Sequence, residues 1–240
     1  MAEDWDSGVF PHGDITPLAN NLWWVKSAQK GLPLPRNMAI YRLPDGGLVL
    51  HSVVCMDAAR MAALEKLGAP KYMIVPNEGH RTDAPRYKAR YPQLRVLCPS
   101  GARAKVEEII KPDATCEDPT LGVSSFGVTW HAQDGTKPPS HELAYEVDID
   151  GGKALILNDL LGNGPKLSGD FRAPMFNLLG SGGVLGVPRI VRWMFVEDKA
   201  RVRAFLERMA EKPWKVITVS HGDPITEDCS GALRRAAARL

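Results

Sequence analysis

Three short and almost wholly apolar runs limit what this chain can fold into: Tyr72-Met73-Ile74-Val75, Ala154-Leu155-Ile156-Leu157 and Val216-Ile217-Thr218-Val219. Runs of this length without polar alternation fit strands buried on both faces. Each leads into side chains able to bind a metal or move a proton. The first is followed by Glu78, His80 and Asp83, the second by Asp159, and the third by His221. The carboxyl ends of strands are where α/β proteins build their sites. Three such deliveries, far apart in sequence, point to one composite site.

The segments around these runs supply the rest of a layered fold. Asn21–Lys26 reads as a strand, and the runs 38–42 and 48–54 read as a hairpin turning at Asp45-Gly46. Asp57 suits a helix N-cap, Met61, Leu64 and Leu67 form its apolar stripe, and Gly68 stops it. A helical turn is expected around Tyr87, a strand over 94–98, and a helix capped by Ser100 that carries Val106, Ile109 and Ile110 up to Pro112. Runs 126–131 and 143–149 are further strands, with a turn at Asp150-Gly151-Gly152 before the second buried run. Residues 162–186 carry no readable pattern. Val202, Phe205, Leu206 and Met209 mark an amphipathic helix, and the final dozen residues mark another. Hairpins mixed with strand–helix alternation predict an α/β chain of sheet layers covered by helices, as one domain over 1–240.

Composition narrows the function classes. The hydrophobic share of 44% supports a substantial core, while the net charge of +2 is spread without a basic block. Nucleic acid and anionic membrane are therefore not expected partners, and a small-molecule substrate or ligand is. Oligomeric state is not readable. The start, Met1-Ala2-Glu3-Asp4, lacks a signal-peptide pattern, and no run is long enough to span a bilayer. Cys55, Cys98, Cys116 and Cys229 form no C-x-x-C pair, which fits free thiols in a reducing compartment and predicts a cytoplasmic protein. The glycines of 180–186 lack the ending of a phosphate loop, so no organic cofactor is expected, and neither Ser52 nor Ser220 lies in a G-x-S-x-G elbow.

Each site segment also has a plainer reading. In Pro76-Asn77-Glu78-Gly79-His80-Arg81-Thr82-Asp83, Thr82 or Asp83 can serve as a helix cap. Asp159, flanked by apolar residues, can cap a helix or hold a cation. His221, in Ser220-His221-Gly222-Asp223-Pro224, can bond within its own turn. His51 reads as a hydrogen-bonded structural histidine.

Taken together, the order strand–His loop, hairpin pair, strand–Asp and strand–His-Gly resembles the metallo-β-lactamase fold family of metal-dependent hydrolases. The resemblance runs from about Asn21 to Asp223. The family motif His-x-His-x-Asp-His, laid on this chain, falls on Glu78, His80, Thr82 and Asp83, so only His80 keeps the family's residue. The family's next histidine turn falls on Asp134-Gly135-Thr136-Lys137-Pro138, with His131 and His141 nearby as substitutes. Asp159 matches the metal-bridging aspartate, and His221 the last ligand.

The resemblance implies a four-layer αββα sandwich with two mixed sheets. It implies metal ligands among Glu78, His80, Asp83, His141, Asp159 and His221, with His80 and Asp83 as catalytic groups. The expected cofactor is a divalent metal, zinc, iron or manganese, with carboxylates favouring the harder ions. The expected activity is hydrolysis of a small ester, thioester, lactone or phosphoester. The altered first motif also admits a degenerate, metal-free member that binds a ligand or a protein.

Overall fold

A computed structural model describes residues 4–137, 142–164, 168–169, 171–180 and 183–240. It begins with an antiparallel meander of β1 (Thr16–Ala19), β2 (Leu22–Gln29), β3 (Leu32–Arg42) and β4 (Gly47–His51). Helix α1 (Ala58–Leu67) then crosses over to β5 (Ala69–Ile74), which pairs parallel to β4. The Asp57 carboxylate caps α1, accepting from the Arg60 amide at 2.8 Å. Gly68 ends it at φ 156°, where a Cβ would lie 2.2 Å from the Gly46 carbonyl oxygen, so no larger residue fits there. After α2 (Ala84–Arg90) come β6 (Arg95–Cys98), the short α3 (Arg103–Glu107) and β7 (Ala114–Thr115), which complete a seven-stranded mixed sheet in sequence order.

The second sheet contains β8 (Thr129–Ala132), β9 (Leu143–Ile149) and β10 (Gly152–Ile156), antiparallel neighbours. The chain then forms the two-residue β11 (Gly162–Asn163) and the helices α4 (Ala173–Leu179), α5 (Arg189–Met194) and α6 (Lys199–Ala210) before β12 (Trp214–Thr218) docks parallel to β10. A final strand, β13 (His221–Gly222), pairs with β11, and α7 (Cys229–Ala238) closes the chain.

The period-2 alternation of the strands sorts their side chains into three apolar layers. Leu48 and Leu50 of β4 and Met73 of β5 face α1 and α2, meeting Met61, Leu64 and Tyr87. Val49, Tyr72 and Ile74 face the other way, onto Tyr145, Val147, Ile156 and Val216 of the second sheet. Beyond that sheet, Leu155 and Ile217 meet Phe205, Leu206 and Leu233 of α6 and α7. Helix, sheet, sheet and helix layers are thus stacked on three buried interfaces, as the sequence led us to expect. Each fully buried Leu, Ile or Val contributes about 1.5–3 kcal/mol. This explains why the apolar runs carry no polar alternation.

Several boundaries differ from the sequence reading. Strand β3 starts six residues before Met38, because Pro33 and Pro35 hide it. Those residues lie where β3 has only β2 as neighbour, since pairing with β4 covers Ala39 to Arg42 alone. Strand β8 starts at Thr129 because Val123–Phe126 winds into a 3-10 turn ended by Gly127 at φ 83°. The unassigned stretch 162–186 contains β11 and α4. Among the described residues no helix is long and apolar enough to cross a membrane.

Glu146 of β9 is the main charge buried in the second sheet. Burial would raise its carboxyl, but hydrogen bonds from Lys153 (2.7 Å), Lys212 (2.5 Å) and His131 (2.9 Å) outweigh that and hold it at about 2. A depressed carboxyl adds stability above the ordinary glutamate range, and that stability is lost as pH falls toward the folded-state value. Chemical denaturation between about pH 5 and pH 2 should therefore show a steep loss of stability. Glu146→Gln should flatten that slope and cost about 1–2 kcal/mol at pH 7, allowing for the partly exposed lysines.

Candidate metal centre

The three site loops leave neighbouring strand ends and are pinned by backbone bonds between the elements. The Ser52 amide donates to Ile74 O at 3.1 Å, Leu157 N to Thr218 O at 2.9 Å, and Asn37 N to Ser220 O at 2.8 Å. After β5, Asn77 caps a 3-10 turn over Glu78–His80, its Oδ1 accepting from Gly79 N (2.8 Å) and His80 N (3.1 Å). That turn directs His80 inward, where it is buried.

Three side chains converge there. His80 Nε2 lies 3.0 Å and His221 Nε2 3.1 Å from the same oxygen, Asp159 Oδ1. The two imidazole rings are 5.4 Å apart between centroids. One ligand atom from each of the three falls within 4.8 Å of the others, and no other such group of three occurs among the described residues. The second carboxylate oxygen, Oδ2, accepts from Asn77 Nδ2 at 2.7 Å.

The far sides of the imidazoles are also held. His221 Nδ1 is 2.8 Å from the Pro35 carbonyl, which can only accept, so Nδ1 carries the proton. Its Nε2 lone pair therefore points at a carboxylate oxygen unless a second proton or a cation lies between them. Burial opposes the charge on His221, but the hydrogen bond and charge of Asp159 prevail and raise its pKa. Burial would likewise raise Asp159, yet the two histidines draw its carboxyl well below the usual range. His80 moves the other way, lowered because burial outweighs Asp159. His80 Nδ1 meets Ser52 Oγ at 2.7 Å, a hydroxyl that can donate or accept: without an ion, Nε2 carries the proton toward Asp159 and Nδ1 accepts from Ser52, whereas an Nε2 bound to a cation would leave Nδ1 to donate to it. Ser52 adopts φ 58°, a left-handed conformation unfavourable to a side chain, at the point where β4 must turn this hydroxyl toward His80.

Two imidazoles and one carboxylate, with the histidines oriented by a backbone carbonyl and a hydroxyl, form a donor set suited to a divalent cation. A cation in the place of the second His221 proton would lie between the same Nε2 lone pair and the Asp159 carboxylate. The residues present therefore fit a single ion.

Behind Asp159 lies a group absent from the sequence reading. Glu142 is buried and accepts from Asn77 Nδ2, Asn158 Nδ2 (2.7 Å), Asp159 N (3.0 Å) and Leu160 N (3.2 Å). Burial and the charge of Asp159 push its carboxyl up to about 8. Nothing in the local sequence signals this role, because its partners lie in two other loops.

The other expected residues lie elsewhere. Glu78 is exposed on the 3-10 turn. Asp83 is buried against Arg36, with Arg86 at 3.6 Å, and so ties β3 to α2 apart from the histidine pair. His141 lies outside the described residues. His131 bonds Glu146, and His51 is buried edge-on to Tyr145, where burial lowers its pKa to about 3.

Because Asp159 sustains the raised pKa of His221, Asp159→Asn should reverse it. In chelator-treated protein, NMR titration of His221 should give a midpoint above the ordinary histidine value in the parent and below it in the variant. The stability that the pair supplies is present between the ordinary carboxylate and histidine ranges, is lost as pH falls toward the folded-state value of Asp159, and is lost again as pH rises through that of His221, so the parent–variant gap should narrow above neutrality.

No known family profile matches the sequence, and none of the curated proteins does. Solved structures do match. FIM-1, a metallo-β-lactamase from Pseudomonas aeruginosa in its mono-zinc form, aligns with a TM-score of 0.60 at 12% identity, over 97% of each chain. The metallo-β-lactamase from Pontibacter korlensis gives 0.59 at 14% identity, over 95% of this chain and 99% of that one. That from Erythrobacter litoralis gives 0.61 at 11%, over 94% and 96%. With its two mixed sheets between helical layers, this chain has the metallo-β-lactamase fold in a form far removed in sequence from these enzymes.

Proposed function

We propose that this protein is a hydrolase dependent on one divalent metal ion held by His80, Asp159 and His221. The observation that carries this reading is the convergence of both histidine Nε2 atoms on Asp159 Oδ1, with the Nδ1 atom of His221 committed to a carbonyl. Zinc, iron and manganese all suit two imidazoles and a carboxylate. An ion held there would act as a Lewis acid, lowering the pKa of water toward neutrality for attack on an ester, thioester or lactone carbonyl, or on a phosphoester.

The chain's own residues arrange the rest. Asn77 and Glu142 fix the Asp159 loop, while Pro35 and Ser52 set the imidazole planes. A pocket of about 140 Å³ opens beside Asp159 and is walled by Leu160, Val191 and Phe195. Glu78, Glu142 and Asp159 also line it, with no lysine or arginine among the described lining residues.

A second reading rests on the same three side chains. With Asp159 ionised and His221 doubly protonated, they satisfy one another without an ion, as a metal-free binding module would require. Metal analysis separates the two. Protein purified without chelator should carry about one divalent ion per chain, and added ion at 100 times its Kd should stabilise the stripped protein by about 2.7 kcal/mol. His221→Ala and Asp159→Ala should lose that stabilisation together with at least about a hundredfold in esterase activity. Asp83→Asn should keep the metal and lose stability, because it leaves Arg36 buried without its partner. An inactive protein that takes up no divalent ion would leave the binding-module reading.

A further inference from the structure

The exposed apolar side chains of this protein are gathered in one region. Of the nine large hydrophobic residues that stand exposed among the described residues, six fall between residues 171 and 194. Phe171 is 91% exposed, Trp193 78% and Leu178 62%, so each forgoes most of the gain that burial would bring. Helical spacing puts Met175 and Leu178 on one side of α4, with Phe171 one turn ahead of them. Scattered apolar residues need no explanation, but a group of this size marks a docking surface.

Two contacts draw the pieces together. Arg189 Nη1 of α5 donates to Leu178 O of α4 at 2.9 Å, and Arg172 Nη1 donates to Gly31 O in the β2–β3 turn at 2.6 Å. The second bond brings in Leu32, a seventh exposed apolar residue, with the exposed Lys30 beside it. The same arginines set a cation next to the apolar tips. The Arg172 guanidinium lies over the Phe171 ring, 5.5 Å from its centroid, and the exposed Arg189 is one helical turn from Trp193 on α5. No Asp or Glu occurs in residues 27–35 or 171–196. Averaged over the chain the net charge is only +2, which is why composition gave no reason to expect a membrane partner.

We infer that this face of α4, α5 and the β2–β3 turn is a docking surface for an anionic lipid bilayer, with Phe171, Leu178 and Trp193 entering the acyl region and Lys30, Arg172 and Arg189 at the headgroups. Charge decides between the occupants. A second copy would meet the face through two-fold symmetry, cation against cation with no acid to answer. A lipid surface supplies the missing negative charge, and its acyl chains receive singly protruding side chains without a matching pocket. Tryptophan and long cationic side chains, interleaved, suit the boundary between headgroup and hydrocarbon. Docking of this kind needs no spanning helix. Helix α5 also carries Val191 of the pocket wall, with Phe195 just after it, so the pocket beside Asp159 lies one helix away from the bilayer. The inference does not depend on the hydrolase reading.

The test is co-sedimentation of the full chain with phosphatidylcholine vesicles, with and without about 30% phosphatidylglycerol. Binding should be at least about tenfold tighter on the anionic vesicles and should weaken as salt is raised. Phe171→Ser combined with Trp193→Ser should weaken it at least about thirtyfold, and Lys30→Gln about fivefold on the anionic vesicles alone. Because these side chains are exposed, Tm should stay within about 2 °C of the parent in each variant. Anionic vesicles should shift tryptophan emission to the blue, and Trp193→Phe should lose most of that shift while still binding. Equal binding to the two kinds of vesicle would overturn the inference, as would undiminished binding in the Phe171–Trp193 double variant. Absence of vesicle binding would also overturn it, and a dimer in sedimentation equilibrium that the double variant dissociates would then assign the face to a second copy.

Discussion

One side chain, Asn77, joins the pieces on which the site depends. Its Oδ1 caps the turn that carries His80, and its Nδ2 reaches both Glu142 and Asp159 across the gap between the two sheets. An amide is suited to this work, since it offers acceptor and donor together without adding charge to a buried place. An aspartate there would put a third carboxylate beside Glu142 and Asp159, and an alanine would free both loops. The position of Asp159, and through it of the two histidines, follows from this bond and from the four donors that hold Glu142.

The surrounding sandwich makes such a network possible. Burying both faces of each sheet fixes the strands in rigid register, so loops leaving β5, β10 and β12 begin from determined points. The backbone bonds 52–74, 157–218 and 37–220 then hold those loops where they emerge. A buried, tightly hydrogen-bonded frame can sustain costs that a flexible one would relax. Examples are the left-handed Ser52, the carboxyl of Glu142 pushed up to about 8, and the unpaired amide of Gln133. All three lie around the cluster or its pocket.

The parts legible in the sequence were those encoded by near neighbours. The capped helix at Asp57, the hairpin at Asp45-Gly46, the strand runs and the amphipathic helix of residues 199–210 all depend on residues within a turn or two of each other. Where proline interrupted the pattern, at Pro33 and Pro35, half of β3 went unread. Asp159, His221 and His80 could be chosen because each follows a buried strand. Asp83 has an equally suggestive position, but whether it meets a histidine or an arginine depends on Arg36, which is 47 residues away. Glu142 and Gln133 lie in segments with no motif, and their partners, or lack of them, come from other loops.

The sequence by itself determined the layering, because alternating and continuous apolar runs can be buried in few ways, and it determined which strand ends carry chemical groups. Only the tertiary structure decided which of those groups meet. His80 and Asp159 are 79 residues apart, and His221 and Pro35 are brought together across 186. Their distances, charge states and shared hydrogen bonds arise from two sheets packing at one registration. No local pattern specifies that registration, since it is set by the sum of many weak apolar contacts across the whole core.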